Sequence, residues 1–562
     1  MTLRRVLCVV LAVAIGLSLC ALRAVASDGG ADNPSASQLP YILYMLVWLM
    51  PLGITLAAVG VGDPGRAHQV ATSLPLALVA ALGGYALCGF AFQFGGVGLI
   101  TDSPGLSSFI AEWSPLDLAL GPGWGLMGLD GFALPSHLMT EEALQLFVSQ
   151  LALVTTATLI PLITLSGRIP RLPSLFLALL ISCVSYPLLG NWLRGGGWLS
   201  QLGQTLHLGH GFVDYGLSSL HLLGGGAALA ALLAFGRRRV PEPQRPELPA
   251  SYLPLNVLAG AFLALVGWLV MILTQPLVPL PGSAAWLILK ALAAVAASTL
   301  GTFFYGWLVR GEPDPGLTGR GIIAALVAIG APLPFVPLWA AALIGGLAGI
   351  ALAPAMYLVE HVLGLDDRGA VVSMHGLAAL WGLLAVGLFA DGSQGAGWNI
   401  PGAQGASTML SQGVTGYLAA SGGAQGLAQL YAQLIGVGAI VLIAALVPWA
   451  LLALAAQAYA LPPTVRARAL ARAAQLRQQR EAREILKRRG GGLGVWPRAR
   501  AAYLGVIASS NRRLARRTRP SGPGHAPSQT HRSLPRRRLI SYTGKRQPAK
   551  ALRGRGLRSS PG

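Results

Sequence analysis

Eleven stretches of about twenty apolar residues, nearly free of charge, recur between residues 39 and 455. They fall near 39–60, 70–94, 143–166, 172–192, 215–236, 254–275, 284–309, 318–334, 336–358, 370–390 and 429–455. A helix of that length covers the roughly 30 Å hydrocarbon core of a bilayer. The expected fold class is therefore all-α integral membrane, with eleven transmembrane helices. A soluble domain is a poor alternative. With 54% hydrophobic and 11% charged residues, the chain has too little charge to cover a water-exposed surface. Its 73 glycines suit close helix packing in lipid.

The ends of the chain read differently. Arg4 and Arg5, an apolar run and the small residues Ala24-Val25-Ala26 form the pattern of a cleaved signal peptide over 1–26. The competing reading is one more transmembrane helix. Residues 27–457 are the membrane domain. Residues 458–562 form a basic tail: 26 of the 41 Lys and Arg residues lie from Leu461 onward, against only Glu481 and Glu484. The net charge of +21 thus belongs to the tail, while the body is nearly neutral. Arg-rich, Gly/Ser/Pro-containing sequence beyond Gly490 is expected to be mostly disordered.

Basic residues also set the orientation. With the N-terminus outside, the inner connections hold Arg66, Arg168, Arg171, Arg237 to Arg239, Arg245, Arg310, Arg320 and Arg368. The outer connections hold Arg194, and the asymmetry follows the positive-inside rule. This places the protein in the plasma (inner) membrane with a cytoplasmic tail.

Few ionisable residues fall inside the spans, where an unpaired charge costs about 2.5–3.5 kcal/mol. Asp214 and His221 open the fifth span, seven residues apart, a spacing that predicts one shared helix face. His375 lies in the tenth, eight residues after Asp367. Fifth and tenth positions would be equivalent in a chain of two inverted five-helix repeats plus one helix, an arrangement that sets sites at the repeat interface. Two neutral imidazoles could line a narrow apolar pore and bond a small polar solute. The alternative is two unrelated packing histidines, each bonded to a carbonyl.

The stretch Met374-His375-Gly376-Leu377-Ala378-Ala379-Leu380-Trp381-Gly382, continuing to Ala390, resembles the HG...WG..AVGLFA signature of the ammonium transporter family, which includes the Rhesus-type proteins. Asp214-Tyr215 through His221 to Gly225, the Gly195–Leu199 loop and Gly267-Trp268 resemble further family motifs, and the likeness spans roughly 39–455. The resemblance implies a homotrimer with a pore in each protomer. It also implies ammonium captured outside and separated into ammonia and a proton within the pore. His221 and His375 match the twin pore histidines, and Asp214 an acid supporting the outer recruitment region.

Several positions depart from the pattern. The Asp214–His221 spacing is one residue shorter than usual. Arg194 stands where the outer-site tryptophan falls, with Trp192 and Trp198 as possible substitutes in space. Gln275 stands at the recruiting serine, Leu151 and Met271 at the two gate phenylalanines. The reading is ammonium/ammonia transport, with a transport-impaired sensor or a channel for another small neutral solute as alternatives.

Nothing points to an enzyme, a metal or a cofactor: Ser-His-Asp, HExxH and CxxC patterns are absent from the sequence. The expected partners are anionic membrane lipids at the tail and a cytoplasmic regulatory protein. No nucleic-acid partner is expected.

Overall fold

A computed structural model of the chain describes residues 34–60, 64–167, 171–235, 253–278, 280–367, 369–399, 413–420 and 422–459. The expected signal segment, and the tail from residue 460, lie outside them.

The helical stretches are α1 (Leu39–Val59), α2 (Ala67–Leu99), α3 (Glu141–Leu165), α4 (Leu172–Thr205), α5 (Ser218–Phe235), α6 (Pro254–Leu273), α7 (Ala284–Arg310), α8 (Pro315–Gly330), α9 (Leu338–Val362), α10 (Val372–Phe389) and α11 (Gly423–Leu454). Among the described residues, ten are long and apolar enough to cross a membrane, and the protein is an all-α, multi-pass membrane protein. The stretch expected at 318–334 is the exception. Helix α8 has 16 residues, a rise of about 24 Å. Asp314 starts it, its Oδ1 accepting from the Gly316 and Leu317 amides at 2.8 and 3.1 Å. Pro332 and Pro334 follow its end and cannot continue it. Helix α8 is buried along nearly its whole length among α6, α7, α9 and α10, so protein rather than lipid sets how long it must be.

Helices α7 and α9 do the opposite. They bury one face and expose Phe304, Leu308 and Ile350 on the other. Such side chains would be a liability in water but match hydrocarbon.

The packing pattern repeats. In the first five helices α2 packs on α3 and α4, and α3 on α1 and α5; in the second five α7 packs on α8 and α9, and α8 on α6 and α10. The two sets meet at close crossings. On α1 and α6, a Cβ on Gly53 would lie 2.4 Å from the Gly260 carbonyl oxygen. Only glycine permits that approach.

Alternate connections gather at one end of the bundle. There the α2–α3 loop carries a two-stranded antiparallel sheet, Glu112–Trp113 with Met127–Gly128. Trp198 donates from its amide to the Gly125 carbonyl at 3.0 Å, and Asn399 Nδ2 to the His210 carbonyl at 3.0 Å. The first bond ties that loop to α4 and the second ties the α4–α5 and α10–α11 connections to each other, at one loop-rich end.

Candidate functional site

The shared helix face expected for Asp214 and His221 is not what forms. Helix α5 starts at Ser218, after Leu217 takes a left-handed φ of +58°, so Asp214 stands outside the helix. Its carboxylate folds back onto the first turn, Oδ1 accepting from Ser218 N at 3.0 Å and Oδ2 from Ser219 N at 2.7 Å. The physical reason is the set of free amides at a helix start, which a nearby carboxylate satisfies and the dipole rewards.

Asp367 repeats the device ahead of α10. Its Oδ1 accepts from Val371 N at 2.9 Å and its Oδ2 from Val372 N at 2.9 Å, after Ala370 takes a φ of +52°. Both carboxyls are deeply buried. Burial pushes the Asp214 carboxyl up, and that of Asp367 up to about 7, against the pull of the amides toward the anion.

From each aspartate the chain counts to a histidine: seven residues to His221, eight to His375. The extra residue is taken up by a widened π turn, Val372–Leu377, which contains His375; α5 is regular over the corresponding stretch. A π turn holds one residue more than an α turn. The first half's shorter spacing therefore still delivers its histidine to the same place.

The two imidazoles meet. Their Nδ1 atoms lie 3.1 Å apart, with the rings nearly parallel at 11°. His221 is 4% exposed and His375 0%. The backbones behind them touch, and a Cβ on Gly225 would lie 2.4 Å from Gly376 N. A hydrogen bond between two Nδ1 atoms holds one proton. With both rings neutral, one ring then presents a bare Nε2 and the other an Nε2–H. His375 Nε2 is buried without a hydrogen-bond partner in the protein. In a dry, apolar surrounding such an atom is costly unless something bonds to it.

Toward the loop-rich end lies a cavity of about 280 Å³, bordered by Arg194, Gln201, Phe212, Asp214, Trp398 and Asn399. Arg194 also reaches the Tyr215 carbonyl, which accepts from its Nη2 at 2.6 Å and from Gln275 Nε2 at 2.8 Å. The tyrosine is itself anchored, its hydroxyl donating to the Ile272 carbonyl at 2.6 Å. Gln275 Nε2 also lies 3.8 Å from Met271 Sδ. The structure thus brings Arg194, Asp214, Gln275 and Met271 together. Leu151 lies half-buried on α3.

Trp192 and Trp198 turn away from this cavity. Trp192 Nε1 donates to the Leu126 carbonyl at 2.9 Å, and its ring meets Trp198 edge-on; Trp198 stacks on Trp124. They pack under the α2–α3 loop instead. The tryptophan bordering the cavity is Trp398, which the sequence reading missed. Trp398 follows a run of small and polar residues, with no apolar periodicity to draw attention to it.

Two glutamines were missed as well. Gln433 on α11 accepts from Val213 N at 2.9 Å and donates to the Val213 and Leu383 carbonyls at 2.9 and 2.8 Å. Gln429 accepts from His210 N and donates to the Gly211 carbonyl. Together they tie the segment before α5 to α11. Their signal was present: polar side chains inside an apolar span need partners there.

Matched sets of five helices, a buried imidazole pair where α5 meets α10, and a cavity bordered by the aspartate that caps α5 define a multi-pass membrane protein with a polar site in its core. The chain belongs to the Ammonium Transporter Family, whose sequence profile matches residues 40–467. It is similar to Ammonium transporter Amt2 of Archaeoglobus fulgidus, at 33% identity over 289 residues, covering 50% of this chain and 60% of that protein. The chain thus spans about 60% of that curated relative's length. Two solved structures share the fold. One is described as Sensor Amt Protein, at 24% identity and TM-score 0.54, covering 75% of this chain and 91% of that one. The other is Saccharomyces cerevisiae Mep2, at 20% identity and TM-score 0.55, covering 75% and 84%.

Proposed function

We propose that the chain moves ammonia, drawn from and returned to ammonium, across a membrane through a hydrophobic pore lined by His221 and His375. The observation that carries this is the pair itself: two imidazoles 3.1 Å apart, fully enclosed by apolar helices, one with an unpartnered Nε2. A bare cation is costly in such a setting, whereas a small neutral base can bond to the free nitrogens and pass. Family membership supports the same solute.

In this reading the loop-rich end faces outward, Asp214, Arg194 and Gln275 lie in the outer mouth, and Met271 and Leu151 stand at the gate below it. The chain forms a homotrimer in the plasma (inner) membrane. The signal over 1–26 is cleaved, and the basic tail lies against anionic lipid in the cytoplasm. Basic residues on the opposite connections support that orientation.

The test is ammonium-driven change of internal pH in proteoliposomes holding purified protein, beside a His221→Ala/His375→Ala variant. Flux in the parent and its loss in a folded variant are expected. No flux from folded parent protein would overturn transport and favour the second reading, an ammonium sensor. The likeness to a solved protein described as a sensor, together with the long basic tail, is what supports that second reading.

A further inference from the structure

Two cysteines face each other where α2 crosses α4. Cys88 and Cys183 are the only cysteines beyond Cys20 in the sequence, and both are half-buried free thiols. Each sits in a widened π turn of its helix, Tyr85–Gly89 in α2 and Ile181–Ser185 in α4, and the two turns pack together. The approach is close: a Cβ on Gly84 would lie 2.3 Å from Ser182 Oγ and 2.8 Å from Cys183 Sγ. Ser182 Oγ donates to the Ala80 carbonyl at 2.9 Å, a bond that holds the crossing in register.

The thiols converge on one spot. Cys88 Sγ lies 3.6 Å from the Gly84 carbonyl and 3.7 Å from that of Cys183, within donating distance of both. Cys183 Sγ lies against Gly84 as well, and the two cysteine side chains hydrogen-bond to each other. Leu87, the neighbour of Cys88, and Leu179, one turn before Cys183, are exposed, so the pair lies at the edge of the bundle rather than in its core. Among the described residues no three His, Cys, Asp or Glu side chains gather as a metal-binding group, so the pair offers two sulfur ligands and no third ligand of those kinds. A single buried cysteine behaves as a small apolar side chain; two side by side on opposed helices make a chelate.

We propose that Cys88 and Cys183 form a two-sulfur site for a thiophilic cation that takes two ligands, the class of Cu(I), Ag(I) and Hg(II). Thiolates are soft ligands and select soft ions. Structural zinc and iron–sulfur centres take four ligands, twice what this pair supplies. Charge decides the form of the complex, because an uncompensated charge is costly among apolar helices. A divalent ion breaks both S–H bonds, forms two sulfur–metal bonds and releases two protons. A monovalent ion breaks one S–H bond, releases one proton and takes a lone pair from the remaining thiol. Either complex is neutral, and no electron is transferred. The ion bridges α2 to α4. Both helices run on to the cavity at the loop-rich end, where Val97, Leu193 and Arg194 border it, so the bridge ties two of its walls together. The site stands apart from the imidazole pair and from the transport reading.

The experiment adds mercuric chloride to the full-length chain in detergent and reads intact mass and free thiols. A Cys8→Ser/Cys20→Ser background leaves only the two thiols in question. The expected result is a single mercury per chain, with both Cys88 and Cys183 closed to maleimide. Cys88→Ala and Cys183→Ala, made in the same background, each keep one thiol and lose the chelate. The two-thiol chain should therefore hold its mercury against roughly tenfold more competing monothiol than either variant does. Bound ion should also raise the unfolding midpoint of the two-thiol chain and leave the midpoints of the two variants unchanged. Two mercury ions per chain, retention no better than in the one-thiol variants, or thiols that stay open to maleimide would each overturn the site. Where an alanine variant does not fold, serine at the same position replaces it, since the comparison needs only the loss of one sulfur.

Discussion

Asp214 and Asp367 make the same two hydrogen bonds, one in each set of five helices: Oδ1 to the amide four residues on, Oδ2 to the amide five residues on. Each follows the same rule, with a left-handed residue three positions later and a histidine about one turn inside the helix. The pair sets where α5 and α10 begin, and so where His221 and His375 arrive.

Asp214→Ala and Asp367→Ala are each expected to lower stability by about 1–2 kcal/mol from the lost cap, with a further cost for buried amides left unpaired. Thermal unfolding in detergent should show both losses, and each variant should also transport less than the parent. An unchanged midpoint in either would mean that the cap does not hold the helix start.

The bundle was legible in the sequence because long apolar runs have few other outcomes, and His221 and His375 stood out as ionisable residues inside such runs. What the sequence hid was the geometry between elements. Asp214 read as a helix residue, because nothing local marks Leu217 as left-handed. Nor did the sequence show the π turn around His375, which takes up the one-residue difference between the two aspartate–histidine spacings. Trp192 and Trp198 read as mouth residues by proximity in sequence, whereas packing under the α2–α3 loop claims both rings.

Gly225→Val tests the close crossing of α5 and α10. A side chain there would begin 2.4 Å from Gly376 N, so the helices must separate or the backbone must bend. Overpacking of this kind costs about 1–3 kcal/mol, and the displacement acts one turn from His221. At least a tenfold loss of uptake is expected, with a lower unfolding temperature. Parent-like uptake would show that the imidazole pair does not depend on the crossing.

Glu112, in the α2–α3 loop, has Oε1 buried without a partner, and burial pushes its carboxyl up to about 7. A raised carboxyl favours the folded state in its protonated form. Its contribution is fully present below the ordinary glutamate range and fades as pH rises through about 7. The unfolding temperature of the parent, relative to Glu112→Gln, should therefore fall between about pH 5 and about pH 8. A constant difference across that range would count against the buried carboxyl.

The shared proton between the two Nδ1 atoms has a consequence for direction. The helices bring the two rings together from matched halves, yet one proton cannot be divided between them, so the pair must lean toward one end of the bundle or the other. A base that takes a proton from one Nε2 and returns one to the opposite Nε2 would leave the lean reversed. The pair then behaves as a two-position memory. In the transport reading, each such exchange carries the shared proton across the 3.1 Å bond and sets the path for traffic of the opposite sense, until the reverse exchange at the two Nε2 atoms returns it.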